Sequence, residues 1–227
     1  MAFLELAERV QEVRDRIEAA RARGGHGQAV RLIAVTKTHG PDAVTAAAAC
    51  GITDVGENKV QEALEKMQTA AADVRWHLLG HLQRNKAKAA PRFATVHSLD
   101  SLRLADALNA AATDAGKVLE VLLQVNVAGE EQKFGVAPHE VEALAAHLTG
   151  LPALRVGGVM CMAPYTDDAS ILRHAFAGAR DALGTVQAAG HREARELSMG
   201  MSGDYEVAVE EGATLVRLGT VLFGARN

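Results

Sequence analysis

Lys37 ends the run Arg31-Leu32-Ile33-Ala34-Val35-Thr36-Lys37-Thr38, which is β-branched and apolar and is followed by His39-Gly40-Pro41. Such a run predicts a strand buried on both faces, since an exposed strand would alternate polar and apolar residues. An amine at the rim of that strand loses solvation, which lowers its pKa and suits Schiff-base chemistry. Spacing alone favours a plainer reading, a solvated lysine at a strand end. A second group of residues lies far down the chain. Ser198-Met199-Gly200-Met201-Ser202-Gly203-Asp204 joins small residues and hydroxyls to a predicted helix start, and Gly219-Thr220 repeats that pattern. Free backbone N–H groups in such loops bind phosphate in many barrels, while tight turns are the alternative for either loop alone.

Arg217 falls inside a predicted strand, where a charge needs a partner. Glu196 and Glu57 are the carboxylates considered for it, and a ligand is the equal alternative. His77 and His81 read as one face of a strand, and with no carboxylate or cysteine at a matching position they predict hydrogen-bonded barrel histidines and no metal. Arg84, Lys86 and Lys88 read as a solvated face, and Glu130, Glu131 and Lys133 as exposed ion pairs on a long loop. Met160, Cys161 and Met162 read as core.

The elements that position these residues alternate. A helix over 3–22 places Phe3, Leu6, Val10, Val13, Ile17 and Ala20 at steps of three and four. Strands are expected at 31–38, 52–58, 75–82, 95–100, 118–127, 154–162, 196–199 and 214–223. Helices are expected between them at 41–50, 59–72, 84–90, 101–115, 138–150, 169–189 and 204–211. Eight strands separated by helices predict one domain over 1–227, a (β/α)8 barrel of the TIM type, with an open doubly wound sheet as the alternative. The sequence ends soon after strand eight, so neither an eighth helix nor a C-terminal β domain is expected. The extra N-terminal helix is expected to cover the gap between strands eight and one. Active-site positions at the C-terminal strand ends are then Lys37, Asn58, His81, Asp100, Asn126, Met162, Ser198 to Gly203, and Arg217 to Gly224.

Composition bounds the function. The 227 residues are 48% apolar and only 4% aromatic, as expected of an aliphatic core under helices. A net charge of −4 without a basic cluster speaks against nucleic acid. Cys50 and Cys161 form no disulfide framework, which predicts a reducing, cytoplasmic setting. Neither a signal peptide nor a membrane span is expected, and a monomer is the default because no long apolar seam is obvious.

Several longer motifs then resemble one family. They are Ala34-Val35-Thr36-Lys37-Thr38, Gly56-Glu57-Asn58-Lys59-Val60-Gln61-Glu62, Trp76 to Lys86, Gln124-Val125-Asn126-Val127, Lys133-Phe134-Gly135, Met162-Ala163-Pro164, Leu197 to Asp204 and Arg217-Leu218-Gly219-Thr220. In this order they resemble the pyridoxal phosphate homeostasis proteins, single-domain barrels related to the N-terminal barrel of alanine racemase. The resemblance implies pyridoxal 5'-phosphate as cofactor, held as a Schiff base on Lys37. It implies that Ser198, Gly219 and Thr220 hold the phosphate, with Met201 in the same set, that Arg217 faces the ring nitrogen and that Asn58 lies beside the ring. Gly40 departs from the proline that the family often has there. The implied role is an intracellular carrier or buffer that is not itself an enzyme, with transient contact to apoenzymes that use the cofactor. A weak amino-acid racemase is the competing class, and a Schiff-base aldolase a more remote one. Lys133 and Lys86 are candidates for a second cofactor site.

Overall fold

The computed structural model describes residues 3, 5–130, 132 and 134–224. The chain runs α1 (Leu6–Gly24), β1 (Arg31–Val35), α2 (Pro41–Ala49), β2 (Asp54–Glu57), α3 (Val60–Thr69), β3 (Arg75–Leu78), a 3-10 helix (Arg84–Arg92) and β4 (Thr95–Leu99). It continues with α4 (Leu102–Asp114), β5 (Leu119–Gln124), a 3-10 turn (Pro138–Glu140), α5 (Val141–Leu148), β6 (Leu154–Met160), α6 (Ala169–Ala188), β7 (Glu196–Ser198), α7 (Tyr205–Glu210), β8 (Leu215–Leu218) and α8 (Thr220–Phe223). Among the described residues, eight parallel strands close into a barrel in sequence order, with β8 returning to β1. The closing register sets Ile33 opposite Arg217 on one side and opposite Asp54 on the other. The expected barrel is thus present, and the open sheet is not.

Two apolar cores follow from the alternation of strand side chains. The larger lies between the sheet and the helices. The smaller joins Ile33 of β1, Leu122 of β5, Met160 of β6 and Leu215 of β8, with Leu79 and Met162 against them. Since β1 and β5 stand on opposite sides of the barrel, this cluster fills its interior, as barrel interiors are filled by layers of side chains. Beneath it, at the strand starts, charges of both signs alternate. Arg31 pairs with Glu196, Arg75 with Asp54 at 2.7 Å and Arg155 with Glu120 at 2.8 Å. The floor is therefore closed by ion pairs, and chemistry is left to the opposite end.

The N-terminal helix buries Leu6, Val10, Val13, Ile17 and Ala20 along one face. It packs on α7 and α8, and Arg14 reaches the Cys50 and Gly51 carbonyls just past α2. It thus covers the gap beside β8 and β1, as expected. Phe3 lies ahead of the helix, edge-on to Phe223 at 5.5 Å, with His39 beside both rings.

Strand ends differ from expectation in an instructive way. Positions 36–38 leave the sheet because Thr38 adopts φ +69°, which no strand can accommodate. Positions 220–223 form the short helix α8, in which Leu222 and Phe223 N–H both bond the Gly219 carbonyl at 2.9 Å. The expectation that no eighth helix follows β8 is thereby corrected. A short apolar run looks alike as a strand or as one buried helical turn. The 3-10 segment includes Pro91 where an end at that residue was expected. The end of the sequence, Asn227, lies outside the described residues.

Docking of α1 depends on one small residue. A Cβ on Gly24 would meet the Glu210 carbonyl oxygen at 2.4 Å and its Cα at 2.7 Å. Gly24→Ala is therefore expected to push α1 from α7 and to destabilise the protein by about 2 kcal/mol, the usual range for overpacking. For a domain of this size, that corresponds to a midpoint lowered by roughly 4–8 °C in a thermal melt.

Candidate functional site at the barrel mouth

Lys37 sits one residue beyond the end of β1 plus Thr36, half-buried, in a tight turn. On β1 the inward positions are Ile33 and then Val35, and Lys37 is the next of the same parity. Asn58 follows Asp54 and Gly56 in the same way on β2. Its position requires a glycine across from it, since a Cβ on Gly80 would meet the Asn58 carbonyl oxygen at 2.2 Å. Gly219 lies beside the same rim, where its Cβ would come 3.4 Å from the Val35 carbonyl. Next to it, Ser202 Oγ accepts from the Val221 N–H at 3.3 Å. Met201 and Thr220 are exposed on this edge. Lys37, Asn58, Met201, Gly219 and Thr220 therefore share the mouth.

The turn that presents Lys37 is strained and clamped. A β-branched residue such as Thr38 at φ +69° costs on the order of 1–3 kcal/mol and persists only where its surroundings fix it. The Thr38 N–H donates to Glu62 Oε1 at 2.6 Å. On the other side of Lys37, Thr36 is fully buried and its hydroxyl donates to Glu57 Oε1 at 2.6 Å. Lys66 of α3 donates to the Thr36 carbonyl at 2.7 Å, to Glu57 Oε1 at 2.7 Å and to Glu62 Oε1 at 2.8 Å. Burial pushes the Glu57 carboxyl up in spite of these donors.

Below the mouth, Arg217 and Ser198 lie inside the barrel. Arg217 donates to Ser198 Oγ at 2.7 Å and to the Cys161 carbonyl at 2.9 Å. From Ser198 the contacts continue to His97 Nδ1 at 2.8 Å, from His97 Nε2 to His77 Nδ1 at 3.0 Å, and from His77 Nε2 to Asp54 at 2.8 Å. A guanidinium only donates and a carboxylate only accepts, so Ser198 Oγ accepts from Arg217 and His77 Nε2 donates to Asp54. Burial holds His97 well below its ordinary pKa, with His77 and Arg217 adding to the effect. Burial raises the Asp54 carboxyl, but the bonds from His77, Arg75 and Thr53 outweigh it and hold the group far below the usual range.

These positions change the expectations for the Arg217 partner and for the two histidines, and they give Ser198 its surroundings. Neither Glu196 nor Glu57 partners Arg217, because Glu196 pairs with Arg31 and Glu57 with Lys66. Among the described residues no carboxylate lies within ion-pair distance of Arg217. Ser198 has its hydroxyl buried between Arg217 and His97, away from the rim. His77 and His81 do not share a strand face, since β3 ends at Leu78. His77 is a buried link in the chain just described, whereas His81 sits in the following loop, 3.2 Å from Asp100 and stacked on Phe134 at 3.8 Å. The loop after β5 brings Phe134 there by folding back on the strand, with Gln124 Nε2 bonded to the Phe134 carbonyl at 2.9 Å. Lys133 and Glu131 lie outside the described residues, and Lys86 is exposed with Arg84 and Lys88.

Sequence reasoning singled out neither His97 nor Lys66. Both look like ordinary members of their elements, and only the closed barrel brings them to their partners. Ser202 stood in a run already noted, and its neighbour Val221 distinguishes it from Ser198.

Comparison with known proteins identifies the family. The family described as alanine racemase, N-terminal domain, matches residues 9–227. A pyridoxal phosphate homeostasis protein of Aquifex aeolicus is 40% identical over 223 residues, covering 97% of this chain and 98% of that relative. One from Pseudomonas aeruginosa is 43% identical over 225 residues, covering 98% and 96%. The structure of PipY from Synechococcus elongatus PCC7942 with PLP bound superposes with a TM-score of 0.85 at 38% identity, covering 96% of this chain and all of that one. With likeness extending over nearly the whole of each chain, the protein belongs to the alanine racemase N-terminal domain family and, within it, to the pyridoxal phosphate homeostasis proteins.

Proposed function

We propose that this protein binds pyridoxal phosphate at the barrel mouth and acts as an intracellular carrier or buffer of it. The observation that carries the reading is a relative of 38% identity, similar over 96% of this chain, whose structure has PLP bound. The residues present fit that group. An amine on an inward position of the rim, a buried guanidinium without a carboxylate among the described residues, and a glycine-lined edge with a hydroxyl match its aldehyde, ring nitrogen and phosphate in turn.

Lys37 would hold the cofactor covalently through its amine, and Asn58 would contribute to holding the ring. Gly219 and Thr220 line the phosphate with backbone and hydroxyl donors, and Met201 borders them. Ser202 takes the hydroxyl role at the phosphate. Ser198 acts through Arg217, whose guanidinium it holds from below. When bound, pyridoxal phosphate supplies an electrophilic carbon and a conjugated ring that can accept electrons. A fixed positive charge near the ring nitrogen disfavours a second one, so Arg217 would keep that nitrogen unprotonated and make the ring a poor electron sink. Binding without strong turnover follows, and a weak racemase activity is the most that Lys37 as a lone base would give. Among the described residues no helix is long and apolar enough to cross a membrane, and no three His, Cys, Asp or Glu side chains gather as a metal site. A cytoplasmic monomer that meets apoenzymes transiently fits a carrier.

Lys37→Ala is expected to abolish borohydride-trapped cofactor, located by mass spectrometry, while the thermal midpoint stays within a few degrees; covalent cofactor retained elsewhere at wild-type level would sink the assignment. The two serines should separate. Losing a hydrogen bond to a charged group costs about 1.5–3 kcal/mol, so Ser202→Ala is expected to weaken binding at least tenfold in an absorbance titration. Ser198→Ala should instead shift the absorbance of bound cofactor by releasing Arg217, with a smaller change in affinity. Equal effects on both quantities would contradict the division of roles.

A further inference from the structure

Lys66 is a buried ammonium outside the barrel interior, between the sheet and α3, with a relative side-chain exposure of 6%. A buried lysine is uncommon unless paired, and this one uses all three of its donors. Its acceptors are the Thr36 carbonyl, Glu57 Oε1 and Glu62 Oε1. The same two carboxylate oxygens also accept from the residues on either side of Lys37. Glu57 Oε1 takes the Thr36 hydroxyl and Glu62 Oε1 takes the Thr38 N–H. The Thr36 N–H is meanwhile tied to the Gly56 carbonyl of β2 at 3.1 Å. Lys37 is thus the middle residue of a three-residue turn whose first and third members are both anchored to one cation.

The anchoring answers a conformational need. Thr38 holds a left-handed backbone that a threonine would leave if released, because its branched Cβ crowds the neighbouring carbonyl. Relaxation at Thr38 would rotate the peptide that follows Lys37 and redirect its Cα–Cβ bond. We infer that Lys66 is a positioning residue for Lys37, holding the Thr36–Thr38 turn through Glu57 and Glu62 so that the Lys37 amine points into the mouth. The inference rests on Lys37 being the attachment point for pyridoxal phosphate. Lys66 itself contacts neither the mouth nor its contents.

The test uses the full chain, pyridoxal phosphate, an absorbance titration for affinity and borohydride trapping mapped to Lys37. Glu62→Ala removes the acceptor of the Thr38 N–H from a partly exposed position and leaves the Lys66–Glu57 pair in place, so folding should survive. Lys66→Met removes the whole clamp but leaves Glu57 buried, and a thermal melt shows whether it folds. Each folded variant is expected to bind about tenfold more weakly, or ~1.4 kcal/mol per decade. Adding Thr38→Gly to Glu62→Ala should recover most of that loss, because glycine takes the left-handed conformation without help. General damage to the fold would not be repaired by that substitution. Wild-type affinity in folded Glu62→Ala overturns the inference, and so does a loss that Thr38→Gly leaves in place. Absence of trapping at Lys37 in the wild-type protein would overturn the binding reading itself, a result distinct from either.

Discussion

A guanidinium inside a parallel barrel has to be satisfied without water, and the way Arg217 is satisfied organises the rest of the interior. An unpaired buried charge is among the most expensive features a fold can carry. Here the positive charge is hydrogen-bonded only to neutral dipoles, Ser198 and the Cys161 carbonyl, and the hydrogen-bonded series that starts at Ser198 reaches a carboxylate, Asp54 at the floor, four bonds from Arg217. The two ends of that chain are fixed, since Arg217 can only donate to Ser198 and Asp54 can only accept from His77. His97 is held well below its ordinary pKa by burial, and both of its ring nitrogens have partners. The arginine thus keeps donors to offer upward, which a carboxylate beside it would have absorbed.

The floor makes this arrangement affordable. Asp54 is shared by His77, Arg75 and the more distant Arg31, and Glu196 and Glu120 complete the alternation with Arg31 and Arg155. Charges at the strand starts neutralise one another in place, so the field of the interior is not set by a lone ion. Above them Ile33, Leu122, Met160 and Leu215 form a dry plug. The polar chain runs beside that plug, linking floor to mouth. Stability and binding are therefore assigned to opposite ends of the strands, the division that this architecture commonly shows.

Much of this was legible from residue order. The alternation of short aliphatic runs with amphipathic segments predicted parallel strands covered by helices, and eight of them favoured a barrel over the open doubly wound sheet that the same pattern allows. Lys37, Asn58, Gly219 and Thr220 could be placed at the mouth from their positions near the C-terminal ends of the expected strands. What residue order could not resolve was side-chain direction near strand ends. Ser198 and Ser202 are four apart in one small-residue run, yet β7 ends between them and sends one hydroxyl inward and the other to the rim. His77 and His81 are separated in the same manner by the end of β3. Lys66 looked like one more polar residue of an amphipathic helix, since burial of an ammonium is a tertiary fact with no periodic signature.

The position of the Lys66 cluster has a mechanical consequence. Residues that approach a cofactor from inside a barrel compete with it for space and for hydrogen bonds. A clamp placed on the outer face of the sheet avoids both, because it fixes the backbone on either side of Lys37 while leaving the inner face open. It also ties β1, β2 and α3 to a single point, so displacement of α3 would be felt at the turn. A left-handed threonine is a poor choice for a turn that merely connects two elements, where glycine would serve with less strain. It is a reasonable choice where the turn must stay in one conformation, since a threonine held there by Glu62 has fewer alternatives nearby than a glycine would. The turn is rigid by restraint from outside, applied on the face of the sheet away from the mouth.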